Sequence, residues 1–218
     1  QNYGVHPLES RAGKPPHGLY DLWSPNLKAL TPEITDTIVK RRQEFGEKFW
    51  FYVCGPGEYP YIHYHGPYMG ARILSWMAWK LQTDGFLVFA MSAVPQSNIE
   101  EDPAKRWPAT EWKDGGRRGI GVLMYPGPDY ELIPSIRLSS LRDGMEDYEY
   151  FHMLHEKLAY VNPETHAELY ERVQKTLAIG PDIIDTAREW TTEQEKLDAK
   201  RREIVKLIHR LNKLIDER

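Results

Sequence analysis

Acidic and aromatic side chains collect where two apolar runs of the sequence end. Asp21 and Trp23 close one run, and Tyr52 lies near the end of the next. Side chains two residues apart on an extended strand share a face, so Asp21 lies beside Trp23. Carboxylates accept hydrogen bonds from hydroxyl groups, and aromatic rings stack on flat apolar faces. If both faces point inward, a carboxylate, an indole and a phenol meet at one mouth, a mixture that suits a sugar.

The loop after the second run adds carboxylate, phenol and imidazole groups. The predicted substrate-binding residues are therefore, in chain order, Asp21, Trp23, Tyr52, Glu58, Tyr59, Tyr61 and His63. Trp107 and Trp112, in the long polar loop from Ser92 to Arg118, are predicted to form a rim. An alternative stays open, in which Trp50 and Tyr52 fill the interior of a barrel.

The sequence predicts no metal or cofactor site. His63 and His65 flank Tyr64, and no acidic residue or third histidine lies at a telling ligand spacing. Glycine-rich phosphate loops before a helix, the HExxH zinc motif and the GxSxG nucleophile motif do not occur. The functional interpretation of these loop histidines is that they donate hydrogen bonds to a polar ligand.

Strands and helices alternate in the first half of the sequence. The runs Lys48–Cys54 and Phe86–Met91 are almost continuously apolar, which is typical of strands covered on both faces in a parallel sheet. A helical pattern from Pro67 to Leu81 joins them into a βαβ unit. The strand candidate Gly18–Trp23 and a helix from Thr31–Pro32 to Gly46 precede this unit. Ligands of parallel α/β folds bind at the carboxyl ends of the strands, where the candidate residues lie.

Helices dominate the second half, after a fourth extended run, Gly119–Tyr125. The spacing predicts helices from Pro134–Ser135 to Leu158, from Asn162 to about Ile179, from Asp182 to Trp190 and from Thr191 to Arg218. Thr191 or Thr192 could form a capping box at the start of the last helix. That helix either docks on the body of the protein or forms a coiled-coil dimer, and its short apolar stripe favours docking.

The charged block Ser135–Tyr150 is interpreted as structural. Arg142 and Glu146 are four residues apart, as in an ordinary ion pair on a helix surface. A glycine inside a helix costs about 1 kcal/mol relative to alanine. Gly144 is therefore predicted to allow close approach of another backbone.

Composition excludes several classes of protein. The 218 residues are enough for a large core, and 28 Lys plus Arg against 32 Asp plus Glu give a net charge of −4. This balance argues against a nucleic-acid partner. No run approaches the roughly 20 apolar residues of a membrane span, so no membrane partner is predicted. The single cysteine, Cys54, excludes an internal disulfide.

Scattered short motifs together resemble a known family. The motifs are Tyr20-Asp-Leu-Trp23, Phe49-Trp-Phe-Tyr52, Arg72-Ile-Leu-x-Trp76-x-x-Trp79-Lys80, Asp84-Gly85-Phe86-Leu87, Tyr125-Pro126-Gly127, Ser135-x-Arg137-Leu138 and Leu141-Arg-Asp-Gly-x-Glu-Asp-Tyr148. They resemble the bacterial domain of unknown function 4091, which is akin to the catalytic domain of glycoside hydrolase family 123. The resemblance covers roughly Gly18 to Leu158. It implies a (β/α)8 barrel of which this chain carries the last strands.

The same resemblance implies a reaction. Family 123 enzymes remove a terminal N-acetylhexosamine with retention, using the acetamido group of the substrate as nucleophile, an Asp that orients it and an adjacent Glu as general acid. No position of this sequence matches that adjacent pair, which lies on a middle strand of the barrel. Catalysis is therefore assigned to none of its residues, and the acid pair is expected upstream.

The predicted fold class is α/β: the C-terminal portion of a (β/α)8 TIM-type barrel followed by C-terminal α-helices. Residues 1–160 would form the barrel part and residues 161–218 a helical extension packed on it. The predicted function is part of a glycoside hydrolase, with a carbohydrate (an amino sugar or glycan end) and the remainder of the barrel as partners. The alternatives are a non-catalytic sugar-binding barrel and a structural or assembly module that uses the last helix.

Overall fold

Alternation of strand and helix governs the first half of the chain, as the periodicity predicts. The computed structural model describes residues 21–53, 60, 62–63, 66–92, 122–126 and 131–217. Within that part, in chain order, lie β1 (Leu22–Trp23), α1 (Pro32–Phe45), β2 (Lys48–Val53), α2 (Met69–Lys80), β3 (Gly85–Val88), β4 (Met124–Pro126), β5 (Leu132–Pro134), α3 (Ile136–Leu158), α4 (Ala167–Leu177) and α5 (Gln194–Asp216).

The first three strands form one parallel sheet in the order β1-β2-β3. Trp23 of β1 lies opposite Phe49 of β2, and Tyr52 of β2 lies opposite Leu87 of β3. The predicted parallel arrangement and the α/β class are confirmed. Because all three strands run in one direction, their carboxyl ends lie along one edge of the sheet.

The described residues cover only one face of this sheet, although the apolar runs predicted that both faces are buried. Phe49 and Phe51 are completely buried in a core that includes Ile38 of α1 and Ile73 of α2. On the opposite face Tyr52 is half-buried and Leu87 is 45% exposed. The described residues therefore provide one covering layer, and the second layer that the apolar runs predict is not among them.

The fourth extended run forms a strand, but in a separate sheet. β4 pairs antiparallel with β5, which the sequence did not predict because its three residues end in Pro134, at the predicted helix start. Val122 forms an antiparallel bridge with Ser92, just beyond β3. The main-chain N–H groups of Leu123 and Met124 both donate to the carbonyl of Met91. The segment 122–126 therefore lies beside the chain that leaves β3.

The C-terminal helices differ from prediction at their ends. α4 begins at Ala167, later than the predicted Asn162. The segment from Asp182 to Trp190 is not a helix: it forms turns that a bridge between Ile184 and Trp190 closes. The hydroxyl of Thr191 accepts from the N–H of Glu193, so the predicted capping box is wrong.

The apolar stripe of α5 is buried within its own chain. Leu197, Ile204 and Leu211 are at most 1% exposed and join the same core as the sheet. Docking is therefore confirmed, and the coiled-coil alternative is wrong because no apolar seam is left for a second copy.

Gly144 lies where α3 crosses the backbone of α2. A Cβ atom added at Gly144 would lie 2.3 Å from the carbonyl oxygen of Arg72. The predicted close approach is therefore confirmed. The hydroxyl of Ser140 donates to the carbonyl of Tyr68, and the ring of Trp79 stacks on Phe151. Since contacts advance along both helices in the same order, α2 and α3 run parallel.

Replacing Gly144 by alanine tests this contact, because the contact decides whether the variant is more or less stable than the wild type. In an ordinary helix the change stabilises by about 1 kcal/mol, but here overpacking is expected to destabilise by about 1–3 kcal/mol. Urea unfolding measures the difference. Met145→Ala, at a side chain that is 56% exposed, is the matched control and should cost much less. A stabilised Gly144→Ala protein would show that the two helices are not in contact.

Candidate functional site

The candidate site lies at the carboxyl edge, the edge of the parallel sheet defined by Asn26, Tyr52, Met91 and Ser92. The N–H of Tyr52 donates to the carbonyl of Pro25 at 2.9 Å, and Asn26 forms a parallel bridge with Tyr52. Bridge partners point to the same side, so the Asn26 amide and the Tyr52 phenol share the less covered face. Ligands of open α/β sheets bind at this edge.

Trp23 does not share that face. Its register partner is Phe49, its ring stacks on that phenyl ring at 6.5 Å, and the Arg41 guanidinium of α1 lies 5.2 Å from its ring centroid. Trp23 therefore belongs to the helix-covered face, and Tyr52 to the other one. The predicted meeting of the indole and the phenol at one mouth is wrong.

Asp21 does not lie at the carboxyl ends of the strands, where the sequence predicts it. It precedes β1, and its carbonyl accepts from the N–H of Lys48 at the first residue of β2. Asp21 thus lies at the amino end of the strands, whereas ligands bind at the carboxyl end. Within the described residues β1 comprises Leu22–Trp23, and residues 18–20 of the predicted strand lie outside them.

Tyr52 and Trp50 remain on the face that the described helices leave open, and both are half-buried. Gly85 of β3 lies against Trp50, since a Cβ atom there would be 3.0 Å from the indole. Trp50 therefore lies across the middle of the sheet and Tyr52 at its carboxyl edge.

His63 lies in the segment that leads to α2 and is 9% exposed. Its imidazole packs against Gly66, where a Cβ atom would come within 2.3 Å of Nε2. His63 is thus held close to the start of α2, and its contact with a ligand stays a prediction. The other predicted residues of the pocket and its rim lie outside the described residues: Glu58, Tyr59, Tyr61, Trp107 and Trp112.

No group of three His, Cys, Asp or Glu side chains in the described ranges could hold a metal ion. Among the same residues, no helix combines the length and the apolar composition needed to cross a membrane.

Sequence reasoning missed a pair of side chains close to the carboxyl edge. The Nη2 atom of Arg137, in the first turn of α3, donates to the Tyr125 hydroxyl at 2.7 Å and to the Val122 carbonyl at 2.9 Å. α3 runs parallel to α2, whose first turn follows β2, so Arg137 lies at the carboxyl end of the fold. Both residues belong to motifs recognised in the sequence, but helical spacing alone could not show that they meet.

A buried ion-pair network holds together the helices that carry this edge. Asp147 of α3 accepts from Arg72 Nε at 2.6 Å, from Arg72 Nη2 at 3.2 Å and from the Trp76 indole at 2.9 Å. Arg201 of α5 lies 3.2 Å from the same carboxylate. The Arg72 and Asp147 side chains are 5% and 1% exposed. This network therefore gives a structural role to Arg72, Trp76, Asp147 and Arg201.

Asp198 of α5 completes the network at its exposed side. Arg72 Nη1 donates to Asp198 at 2.6 Å. Burial lowers the pKa of Arg72, but hydrogen bonds and charges from Asp147 and Asp198 outweigh it and raise that pKa above its ordinary value. For Asp198, burial raises the pKa of the carboxyl group. The hydrogen bond and the charge of Arg72 outweigh burial, so the pKa of Asp198 lies below its ordinary value.

A second concave region lies at the opposite, amino edge of the sheet. It is a cleft of about 580 Å³ lined by Arg42, Ala78, Trp79, Gln82, Thr83, Asp84, Tyr148, His155, Leu177 and Ala178. Asp84 is bound there to the N–H of Phe49 and to Arg42.

Removing the charge of Asp147 should destabilise the protein strongly. Asp147→Asn breaks the buried ion pair with Arg72 and leaves it only the more exposed carboxylate of Asp198, and breaking a buried pair costs about 3–5 kcal/mol. Glu146→Gln changes the neighbouring carboxylate, which also contacts Arg201 but is 48% exposed, and should cost less than about 1 kcal/mol. Chemical denaturation of both variants compares them. Equal losses of unfolding free energy in the two variants would show that the buried Asp147 contributes no more to stability than the exposed Glu146.

Asp198 should contribute to the acid sensitivity of the fold. Its folded pKa lies below the ordinary 3.8, so its stabilising effect is present above that value and is lost as the pH falls through the folded pKa. Urea unfolding from about pH 5 downward should therefore show a smaller loss of stability for Asp198→Asn than for the wild type. Identical pH profiles would contradict the inferred shift.

Comparisons with known proteins agree with this architecture. One structure that matches is a family 123 glycoside hydrolase from Clostridium perfringens, described in work on glycolipid glycan hydrolysis, with a TM-score of 0.53 and 19% identity. The match covers 90% of this chain and 32% of that chain, so this chain spans about a third of its relative. No curated protein matches the chain.

The family assignment rests on a match to a family model rather than on that distant likeness. The description of the model is "Glycoside hydrolase 123, catalytic domain", and it matches residues 14–154, more than half of the chain. The chain therefore belongs to the family of glycoside hydrolase 123 catalytic domains.

Proposed function

We propose that this chain forms part of a glycoside hydrolase that acts on terminal N-acetylhexosamine sugars, and that it supplies residues of the substrate pocket. The observation that carries the proposal is the Tyr52 phenol beside Asn26 at the carboxyl edge, in a chain of the 123 family. A phenol ring can stack on the CH face of a sugar. The Oδ1 atom of Asn26 accepts from the Lys28 N–H, and its NH2 group can donate to a sugar hydroxyl.

The uncovered face of the sheet supports a larger barrel around this pocket. Leu22 and Leu87 are each 45% exposed there, and Trp50 lies between their strands. Further βα units of a (β/α)8 barrel would bury such a face as the barrel interior. In this proposal residues 1–160 belong to the barrel and residues 161–218 form the helical extension packed against α3.

Catalysis requires groups that the described residues do not provide. Family 123 chemistry needs an orienting Asp next to a general-acid Glu, and no adjacent pair of this kind stands at the carboxyl edge in the described ranges. We therefore assign the acid pair to the other part of the barrel. Tyr52, Asn26 and His63 would bind and orient the sugar.

The proposal predicts that Tyr52→Ala weakens sugar binding. In the full-length protein, titration calorimetry with an N-acetylhexosamine should give about tenfold lower affinity, equivalent to about 1.4 kcal/mol of lost contact. The matched control is Tyr160→Ala, at the far end of α3, where the ring is 58% exposed. Unchanged affinity of Tyr52→Ala would remove Tyr52 from the pocket.

Hydrolysis of aryl N-acetylhexosaminides by the full-length protein distinguishes the enzyme from a sugar-binding barrel. Turnover supports the glycoside hydrolase. Sugar binding without turnover would instead support the non-catalytic alternative.

A further inference from the structure

The amino-edge cleft, the concave region between α1, α2, α3 and α4, is built from several elements of this chain. Its lining comes from the ends of α1, α2 and α4, from the turn into β3 and from α3. Its volume of about 580 Å³ lies within the usual range of ligand sites. β2 has six residues, and a strand rises about 3.3 Å per residue, so the cleft lies roughly 20 Å from the carboxyl edge. One small ligand therefore cannot contact both places.

Several polar groups on the walls of the cleft have no hydrogen-bond partner among the described residues. The hydroxyl of the half-buried Tyr148 forms no hydrogen bond there. Thr83 is 3% exposed, and its Oγ1 atom has no partner. The Nε atom of Arg42 is also buried without an acceptor. Buried polar groups are normally hydrogen-bonded in native proteins. A polar molecule in the cleft would supply the missing partners.

Gln82 takes a backbone conformation that favours glycine. Its φ angle is 52°, in the left-handed region, and it follows the end of α2, where glycine is the usual residue. The Gln82 side chain lines the cleft, and it forms no hydrogen bond with the described residues. Strained backbone positions cluster at ligand sites, where the side chain has a use. The conformation of Gln82 therefore points to a binding role for its amide.

The chemistry of the lining favours a neutral sugar. The indole of Trp79 stacks on Phe151 at 5.3 Å, and the Tyr148 ring meets the same indole edge-on at 5.5 Å. Arg42 and Asp84 form an ion pair at 2.9 Å, so their opposite charges cancel and select neither an anion nor a cation. Aromatic rings beside hydroxyl, amide and carboxylate groups are suited to the CH faces and hydroxyl groups of a carbohydrate.

We propose that the amino-edge cleft is a second carbohydrate-binding site, which takes a neutral oligosaccharide through the Tyr148 hydroxyl and the Gln82 amide. This inference goes beyond the proposed function, because the oligosaccharide contacts no residue of the carboxyl edge and takes no part in hydrolysis. The cleft is larger than one sugar ring, so a single N-acetylhexosamine fills too little of it to be held firmly. Binding at two sites would hold a long glycan near the protein more tightly than either site alone.

The test is titration calorimetry of the full-length protein with three neutral probes: tetrasaccharides of glucose, of galactose and of mannose. The wild type should bind at least one of them. Tyr148→Phe should bind that probe about threefold to tenfold more weakly, because it loses one hydrogen bond. The matched control is Tyr160→Phe, at a ring that is 58% exposed and does not line the cleft, and it should leave the affinity unchanged.

Gln82→Gly separates a binding role from a structural one. Glycine adopts the left-handed conformation without strain, so the melting temperature of this variant should stay the same or rise. Its affinity for the tetrasaccharide should nevertheless fall about threefold or more, because the amide is lost. A lower melting temperature with unchanged affinity would show that Gln82 serves only the fold and would contradict its proposed binding role.

Tyr52→Ala distinguishes this inference from the proposed function. It should weaken the binding of N-acetylhexosamine and leave tetrasaccharide binding unchanged, whereas Tyr148→Phe should do the reverse. No binding of any of the three probes, or unchanged affinity of both Tyr148→Phe and Gln82→Gly, overturns the second site and leaves the proposed function standing. Loss of tetrasaccharide binding in Tyr52→Ala places the probe at the carboxyl edge and also overturns the second site.

Discussion

Asp147 accepts hydrogen bonds from two side chains of α2 and forms an ion pair with α5, in a place that water does not reach. The carboxylate joins Arg72 and Trp76 of α2 to Arg201 of α5, while Gly144, one turn earlier on α3, lets the α2 backbone approach. A buried carboxylate that lost these donors would be strongly unfavourable, so the three helices must keep this arrangement. Since α2 connects β2 to β3, the network also fixes the parallel sheet.

The packing of the helices around Asp147 also determines where the carboxyl edge lies. α2 and α3 run parallel, so both first turns lie at the end of the sheet where Tyr52 and Asn26 meet. The family motifs consequently divide into two groups. Arg72, Trp76, Gly144 and Asp147 hold helices together, whereas the Tyr125 and Arg137 motifs lie near the candidate pocket. Such a division is familiar in barrel enzymes, where one end carries the chemistry and the rest provides stability.

Several features of the fold could be predicted because they depend on one segment at a time. Apolar runs and helical spacing predicted the order of elements from β1 to β3 and the docked face of α5, and the cost of a helical glycine predicted the contact at Gly144. The separation of Trp23 from Tyr52 onto opposite faces could not be predicted, because it depends on the register between strands. Alternation within one strand shows which residues share a face, but not which face packs against α1.

The pair formed by Tyr125 and Arg137 escaped sequence reasoning for a related reason. Charge spacing on a helix reveals ion pairs such as that of Arg142 with Glu146, yet it does not reveal a buried arginine whose acceptors come from another element. The loop residues Glu58, Tyr59 and Tyr61 stay predictions, because they lie outside the described part of the chain.

In the proposed function, helix packing holds the family motifs rigid while the sugar binds at the carboxyl edge. Hydrogen–deuterium exchange of the full-length protein, with and without an N-acetylhexosamine, tests it most directly. We expect slower amide exchange on sugar binding in segments 49–53 and 122–126, with exchange in segments 76–84 and 148–155 around the amino-edge cleft unchanged. Protection confined to the amino-edge cleft would contradict it.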